Sequence, residues 1–216
     1  SACLVGSEMC IRDSLTTGSA IYFMKHVLRN GSLLGLFSMM KMFPVIIALI
    51  FTPILVKKTG SMQKVNFWGY VISDILGIFL IIFAMQKNLP MMLLFMFLKG
   101  TFAGTMSGTL NALIAEISGY TYRTKGVHID GMMFSCSSLG VKVGGGIGTA
   151  AVGWLLHAAG YAGKAATQTA AATNMIFSMY ITIPVILGVV ITILLGLMKV
   201  EKENKRIDME RAEQAD

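Results

Sequence analysis

The 216-residue chain alternates long apolar runs with short polar segments. A helix needs about 20 mostly apolar residues to cross about 30 Å of hydrocarbon. Five runs meet that length, at residues 33–56, 67–85, 91–117, 131–156 and 174–198. Each run is continuously apolar, whereas the strands of a membrane barrel alternate apolar and polar residues over about 10 positions. The pattern therefore predicts an all-α membrane protein with no soluble domain between its helices.

Composition supports this class and excludes others. The chain is 55% hydrophobic and 13% charged, with a net charge of +7, while soluble domains are about 25% charged. Binding to nucleic acid would require the basic residues to cluster on one polar face, but they lie in the gaps between apolar runs, so no nucleic acid partner is expected. Cys3, Cys10 and Cys136 are too few and too scattered for a disulfide framework or a metal site. No metal or cofactor is expected.

The beginning of the chain differs from the rest. Residues 16–30 are apolar in their middle but too short to cross a membrane, so they are predicted to be the outer end of a truncated helix. Residues 1–14 show no helical period and no signal-peptide order. They are expected to be a non-native leader that contributes nothing to fold or function. The predicted organisation is a leader at 1–14, a transmembrane region at 15–198 and a tail at 199–216.

Orientation follows from the basic residues of the connections, because cytoplasmic loops carry the excess of Lys and Arg. One side holds ten: Lys57, Lys58, Lys64, Arg123, Lys125, Lys199, Lys202, Lys205, Arg206 and Arg211. The other side holds four: Lys25, Arg29, Lys87 and Lys164. The chain is therefore predicted to be a multi-pass protein of the cell membrane, embedded in the lipid bilayer, with a cytoplasmic C-terminus.

Four charged residues fall inside the apolar runs, namely Lys41, Asp74, Lys99 and Lys142. A charge at the centre of a membrane helix costs about 2.5–3.5 kcal/mol on insertion scales. The three lysines are predicted to lie at similar depth near the midplane, and one aspartate cannot balance them. Either carboxylates outside this chain pair with them, or they face a water-filled cavity that admits an anionic or polar solute. The alternative for Lys41 and Lys99 is that their long side chains carry the ammonium groups to the interface.

Glycine recurs at every fourth position in two of the runs. Such spacing places small residues along one face of a helix and predicts close packing against a neighbouring helix. The two sets are Gly100, Gly104 and Gly108, and Gly140, Gly144 and Gly148.

Residues 116–161 carry an ordered motif. Glu116, Tyr120, Gly126, Asp130 and Gly131 follow the pattern of an acid, a tyrosine, a glycine, an acid and a glycine. The helix after it continues with Phe134, Ser135, Ser137, Ser138, Val141, Lys142 and Gly144. This order resembles the loop and eleventh helix of the glycoside, pentoside and hexuronide cation symporters, a branch of the major facilitator superfamily. The loop departs from the family at Gly119, Tyr122 and His128, which concerns the gate rather than the family.

The resemblance implies the C-terminal six-helix half of a transporter, with five complete transmembrane helices and a truncated one. It implies secondary active transport of a sugar coupled to sodium or a proton by alternating access. The eleventh-helix residues Ser137, Ser138, Val141 and Lys142 would face the sugar and cation sites.

A second group would serve coupling or gating, namely Lys41, Asp74, Lys99, Glu116, Tyr120 and Asp130. Most sugar contacts and the acids that bind the coupling ion would belong to the N-terminal half, which is the expected partner and is missing here. The alternatives are a major facilitator carrier of another solute and a non-transporting membrane scaffold. An enzyme is not expected, because the sequence shows no intramembrane serine with a base and no paired histidines.

Overall fold

The computed structural model describes residues 2–197 apart from 164 and 166, together with residues 203, 204, 206, 207 and 209 of the tail. The described residues form helices joined by short connections, and none of them lies in a strand. Most of the predicted tail, 199–216, and Lys164 lie outside the described residues.

The described residues form eight α-helices and two π-helical turns. Helix α1 spans Ala2–Tyr22 and continues through the π-helical turn Phe23–Val27. The next helices are α2 (Leu33–Thr59), α3 (Met62–Met85), α4 (Leu89–Ala103), α5 (Thr105–Lys125) and α6 (Asp130–Ala158). The chain then forms α7 (Ala170–Phe177), the π-helical turn Ser178–Thr182 and α8 (Ile183–Leu197).

The five predicted spans are confirmed, with ends that shift by a few residues. Within the described part of the chain, five helical stretches are long and apolar enough to cross a membrane: Leu33–Thr59, Met62–Met85, Leu89–Lys125, Asp130–Ala158 and Ala170–Leu197. Gly104 separates α4 from α5 within the third stretch. Because consecutive spans run in opposite directions, the α2–α3 and α5–α6 connections and the end of α8 share one end of the bundle. The α1–α2, α3–α4 and α6–α7 connections share the other.

Residues 2–14, for which the sequence predicted neither a helix nor a role in the fold, form the first part of α1. Val5 is fully buried among residues of α3, α5 and α8. A Cβ placed on Gly144 would lie 2.6 Å from the Ser7 carbonyl oxygen, and one on Gly148 would lie 2.7 Å from that of Ile11. The glycine strip of α6 thus packs on the backbone of this segment, and the prediction that residues 1–14 contribute nothing to the fold is wrong.

The physical reason lies in the polar positions of α1. Glu8, Arg12 and Thr16 are spaced every fourth residue, which places them on one face of a helix. The apolar residues of α1 lie between these polar residues, so the segment gives no strong hydropathy signal in the sequence alone. It becomes a buried helix once neighbouring helices cover its apolar face.

The glycines of α4 and α5 pack against α2, as their spacing predicts. A Cβ on Gly104 would lie 2.8 Å from Ala48 Cβ, and one on Gly108 would lie 2.9 Å from a methyl group of Leu49. The close contact between α2 and the stretch formed by α4 and α5 forms one wall of the cavity described next.

Candidate functional site

A cavity of about 140 Å³ lies between α1, α2 and α4, with α3 and the chain around the start of α8 at its edge. Its lining is mostly apolar, but four charged side chains enter it: Arg12 and Asp13 from α1, Lys41 from α2 and Lys99 from α4. The long apolar spans place this cavity within the membrane region. We call it the central cavity.

Helix α1 contributes an opposite pair of charges. Arg12 Nη2 lies 3.6 Å from Asp13 Oδ1, and the Arg12 side chain is 12% exposed while that of Asp13 is 50% exposed. The Arg12 guanidinium carbon also lies 5.6 Å from the ring centroid of Tyr70 on α3. A guanidinium over an aromatic face is stabilised by the negative charge density of the ring. Arg12 is therefore held between its own helix and α3.

The two lysines are held in different ways. Lys41 Nζ donates a hydrogen bond to Thr17 Oγ1 on α1 at 2.8 Å. Lys99 reaches α3, where a Cβ on Gly77 would lie 3.4 Å from Lys99 Nζ and 2.9 Å from a Val185 methyl group. A residue larger than glycine at position 77 would crowd this ammonium group. Both predicted lysines thus line the central cavity and reach a neighbouring helix.

Asp74 lies beside the central cavity and joins α3 to α8. Its Oδ2 accepts a hydrogen bond from Thr192 Oγ1 at 2.6 Å, and the residue is 9% exposed. A Cβ on Gly188 would overlap its other carboxylate oxygen, so glycine there leaves room for the carboxylate. Asp74 and Asp13 both attract Lys99 electrostatically, while Arg12 repels it. Counted with their ordinary charges, Arg12, Lys41 and Lys99 exceed Asp13 and Asp74 by one positive charge.

Next to this cluster, α1 presents a half-buried acid. Glu8 lies one helical turn before Arg12, and its Oε2 atom is buried without a hydrogen-bond partner among the described residues. A buried charged oxygen without a partner is costly unless a proton or a cation neutralises it. Glu8 and Arg12 were missed at the sequence level because they fall within the segment interpreted as a leader. The spacing of Glu8, Arg12 and Thr16 was the available signal.

The residues predicted on α6 do not line the central cavity. Ser138 and Lys142 are exposed and line a separate shallow pocket with Phe134, Ser135 and Leu139. Ser137 and Val141 face α1, since a Cβ on Gly6 would lie 3.9 Å from Ser137 Oγ and from a Val141 methyl group. The predicted quartet is therefore divided between two faces of α6.

The predicted gating residues lie at the end of α5 and the start of α6. The Glu116 carbonyl oxygen accepts a hydrogen bond from Asn204 Nδ2 at 3.1 Å, and Tyr120 is half-buried one turn further along α5. Asp130 Oδ2 lies 3.7 Å from Nδ1 of His128, which in turn stacks on a tyrosine ring. These residues form a polar region at one end of the bundle, separate from the lining of the central cavity.

The long apolar helices define a multi-pass membrane protein, and four charged side chains enter a cavity between them. A family model described as MFS/sugar transport protein matches residues 10–202. The chain belongs to this family of the major facilitator superfamily. The match includes Arg12 and Asp13, and at the level of the family it confirms the resemblance to the glycoside, pentoside and hexuronide cation symporters.

Curated relatives are distant. The "Isoprimeverose transporter" of Lactiplantibacillus pentosus is 27% identical over 182 residues, which cover 84% of this chain and 37% of that protein. The "Putative glycoside/cation symporter YagG" of Escherichia coli (strain K12) is 24% identical over 205 residues, with 92% and 44% covered. The "Uncharacterized 29.9 kDa protein in crtE 3'region" of Pseudescherichia vulneris is 27% identical over 132 residues, with 60% and 48% covered. The chain thus spans less than half the length of these relatives. No solved structure gives a significant match.

Proposed function

We propose that this chain is the C-terminal half of a secondary transporter that moves a glycoside, pentoside or hexuronide together with sodium or a proton. Membership of a sugar transport family and the names of two relatives support this proposal. The partner is an N-terminal half of the same transporter, and the C-terminal tail is cytoplasmic according to the distribution of Lys and Arg.

The observation that carries the proposal is the convergence of charged side chains in the central cavity. Arg12, Asp13, Lys41 and Lys99 come from three helices and meet inside an apolar bundle. Ionisable residues inside a membrane are costly, and they persist where they pair with each other or line a solute pathway. A scaffold that only packs helices would gain nothing from this arrangement.

The central cavity is too small to hold a sugar by itself, and its size is consistent with one part of a larger site. Pockets for small molecules measure about 300–1,000 Å³, and this cavity measures about 140 Å³. In transporters built from two halves, the solute site lies near the midplane where the halves meet. Ser138 and Lys142 form an exposed polar patch on an otherwise apolar helix surface. We assign this patch to the same interface, where it would contact the sugar or carboxylates of the other half.

Coupling follows from charge balance. The side chains around Lys99 carry one excess positive charge by formal count. They would therefore attract carboxylates of the other half whenever no coupling cation is bound to those carboxylates. A cation bound to those carboxylates would weaken their attraction to the lysines and change the distance between the two halves. Sugar and cation would then stabilise the same closed arrangement, so each raises the affinity for the other. Glu8, with its unpartnered oxygen, is the candidate of this half for holding a proton during the cycle.

The test is cation-driven uptake by the complete transporter in membrane vesicles. Lys99→Met removes the charge inside the cavity while keeping the side-chain length, and Lys58→Met removes an exposed charge at the end of α2 as a matched control. We expect Lys99→Met to lose concentrative uptake at normal surface amount, because a coupling of about 5–150-fold disappears. Lys58→Met should transport normally. Normal concentrative uptake by both Lys99→Met and Lys142→Cys would refute the proposal.

A second candidate is a major facilitator carrier of an anionic solute, favoured by the excess positive charge of the cluster. Competition for uptake tests the charge of the substrate, because the proposed sugars include both anionic hexuronides and neutral glycosides. Displacement of a labelled substrate by glucuronides but not by neutral glycosides would favour an anionic substrate. Displacement by neutral galactosides or xylosides alone would indicate that the three cations are balanced within the transporter.

A further inference from the structure

A second charged site lies at the end of the bundle that carries the α1–α2 and α3–α4 connections. A cleft of about 680 Å³ opens there between the end of α1, the end of α3 and the beginning of α7. Lys25, Arg29 and Lys87 line it, together with His26. We call it the basic cleft.

Among the described residues, no acid lines the basic cleft. The connecting segments 23–32, 86–88 and 159–169 contain no Asp or Glu. Lys25, Arg29 and Lys87 are exposed, and none of them forms an ion pair with a described residue. Like charges that share a cleft repel one another unless an anion lies between them. The positive charge is therefore available to a ligand.

Backbone conformation gives an independent observation. Arg29 and Lys87 both have φ of 54°, and they are the two non-glycine residues with positive φ among those described. Both follow the end of a helix, with Asn30 N donating to Met24 O and Asn88 N donating to Phe83 O. Glycine normally occupies this left-handed position, as Gly60, Gly126 and Gly160 do at other helix ends of this chain. A side chain here costs free energy that glycine avoids, and residues held in such conformations cluster at binding sites.

The remaining lining is apolar on one side and polar on the other. Val27, Ala84, Met85 and Phe177 provide an apolar floor, and Met85 is 71% exposed at the end of a membrane span. Gln168, Thr173 and Asn174 form a polar rim. A ligand that fills the basic cleft therefore combines an anionic group with an apolar chain, and it lies at the depth of lipid headgroups.

We propose that the basic cleft binds an anionic phospholipid, with the phosphate between Lys25, Arg29 and Lys87 and an acyl chain along Met85 and Phe177. A phosphate diester carries one negative charge on two non-bridging oxygens, and these oxygens accept charge-assisted hydrogen bonds from Lys and Arg side chains. Basic residues beside membrane helices attract anionic lipids. This site is separate from the central cavity and does not depend on the transported solute.

Arg29→Gly and Lys87→Gly are the informative variants, because glycine removes the cation and suits the positive φ. In the absence of lipid, these variants should melt at the same temperature as the parent chain or at a higher one. That measurement shows whether a loss of lipid binding is caused by misfolding. Lys58→Gln removes one positive charge at the opposite end and is the matched control. Binding of phosphatidylglycerol and phosphatidylcholine to the detergent-purified chain is measured by native mass spectrometry and by thermal shift.

We expect the parent chain to bind phosphatidylglycerol in preference to phosphatidylcholine. Each glycine variant should bind phosphatidylglycerol about fivefold more weakly, and Lys58→Gln should bind it like the parent. Equal binding by the parent and both glycine variants would overturn the proposal, as would equal binding of the two lipids. Displacement of the lipid by inorganic phosphate or glucuronate at similar concentration would also overturn it, because the cleft would then recognise a soluble anion.

Discussion

Replacing Gly144 by alanine tests the packing of α1 on α6. The new Cβ would lie 2.6 Å from the carbonyl oxygen of Ser7, a backbone atom that moves only with α1 itself. Gly146 is two residues away on the same helix, and a Cβ there would have no neighbour within 4 Å. The two substitutions have the same chemistry and the same helix, and they differ in what the added methyl group meets.

The magnitude follows from two opposing contributions. Replacing glycine by alanine in a helix favours folding by about 1 kcal/mol. Forcing an added carbon into a packed contact costs about 1–3 kcal/mol. The first contribution is common to both variants, so the difference between them isolates the second. We expect Gly144→Ala to be about 1–3 kcal/mol less stable than Gly146→Ala.

The assay is equilibrium unfolding of the detergent-purified chain by sodium dodecyl sulfate, followed by loss of helical circular dichroism. Gly148→Ala provides a repeat at a second contact, since its Cβ would lie 2.7 Å from the Ile11 carbonyl oxygen. If Gly144→Ala and Gly148→Ala were both as stable as Gly146→Ala, then α1 would not pack on α6 as described. The reasoning about residues 2–14 would fail with it.

Two further predictions concern single contacts. Asn66 Nδ2 donates to Thr109 Oγ1 at 2.6 Å between α3 and α5, so a double-mutant cycle with Asn66→Leu and Thr109→Val should give a coupling of about 0.6 kcal/mol, at most about 1.7; a coupling of zero would contradict this contact. Burial, followed by repulsion from Lys25, lowers the pKa of His26, whose Nε2 lies 3.1 Å from Tyr161 Oη outside the apolar spans. As the pH drops, the unfolded chain therefore binds a proton at His26 before the folded chain does, and the melting temperature of the parent chain should fall below about pH 6.5. The melting temperature of His26→Gln should fall less over the same pH range. An equal fall in the two proteins would refute the lowered pKa of His26.

The spans were predictable because crossing a membrane is a local property of the chain. Any run of about 20 apolar residues satisfies its backbone hydrogen bonds within one helix, whatever its neighbours are. The ends differ where a cap decides them: Ser61 accepts a hydrogen bond from Lys64 N and starts α3 five residues before the predicted residue 67. Capping depends on single polar side chains, which a hydropathy window averages out.

The arrangement around the central cavity was only partly predictable. Depth follows from counting residues along a helix, and the two lysines predicted from it, Lys41 and Lys99, both line the central cavity. The direction of a side chain around the helix axis depends on which neighbours cover each face, and the sequence alone does not contain this information. Lys142 was predicted to lie at a depth similar to that of the other two lysines, and its side chain lies on the exposed face of α6. Arg12 was missed because its helix becomes apparent only against the glycines of α6.

Glycine connects the fold to the charges. Gly144 and Gly148 let α1 approach α6 closely, which fixes the height at which Arg12 and Asp13 enter the central cavity. Gly77 leaves room for the Lys99 ammonium group, and Gly188 leaves room for the Asp74 carboxylate. Larger residues at the last two positions would move these groups apart or force them out of the bundle. The small residues that allow helices to pack in a membrane are therefore also those that allow charged side chains to be kept inside it. A substitution at Gly77 or Gly188 should displace the Lys99 ammonium group or the Asp74 carboxylate even where the helices still assemble.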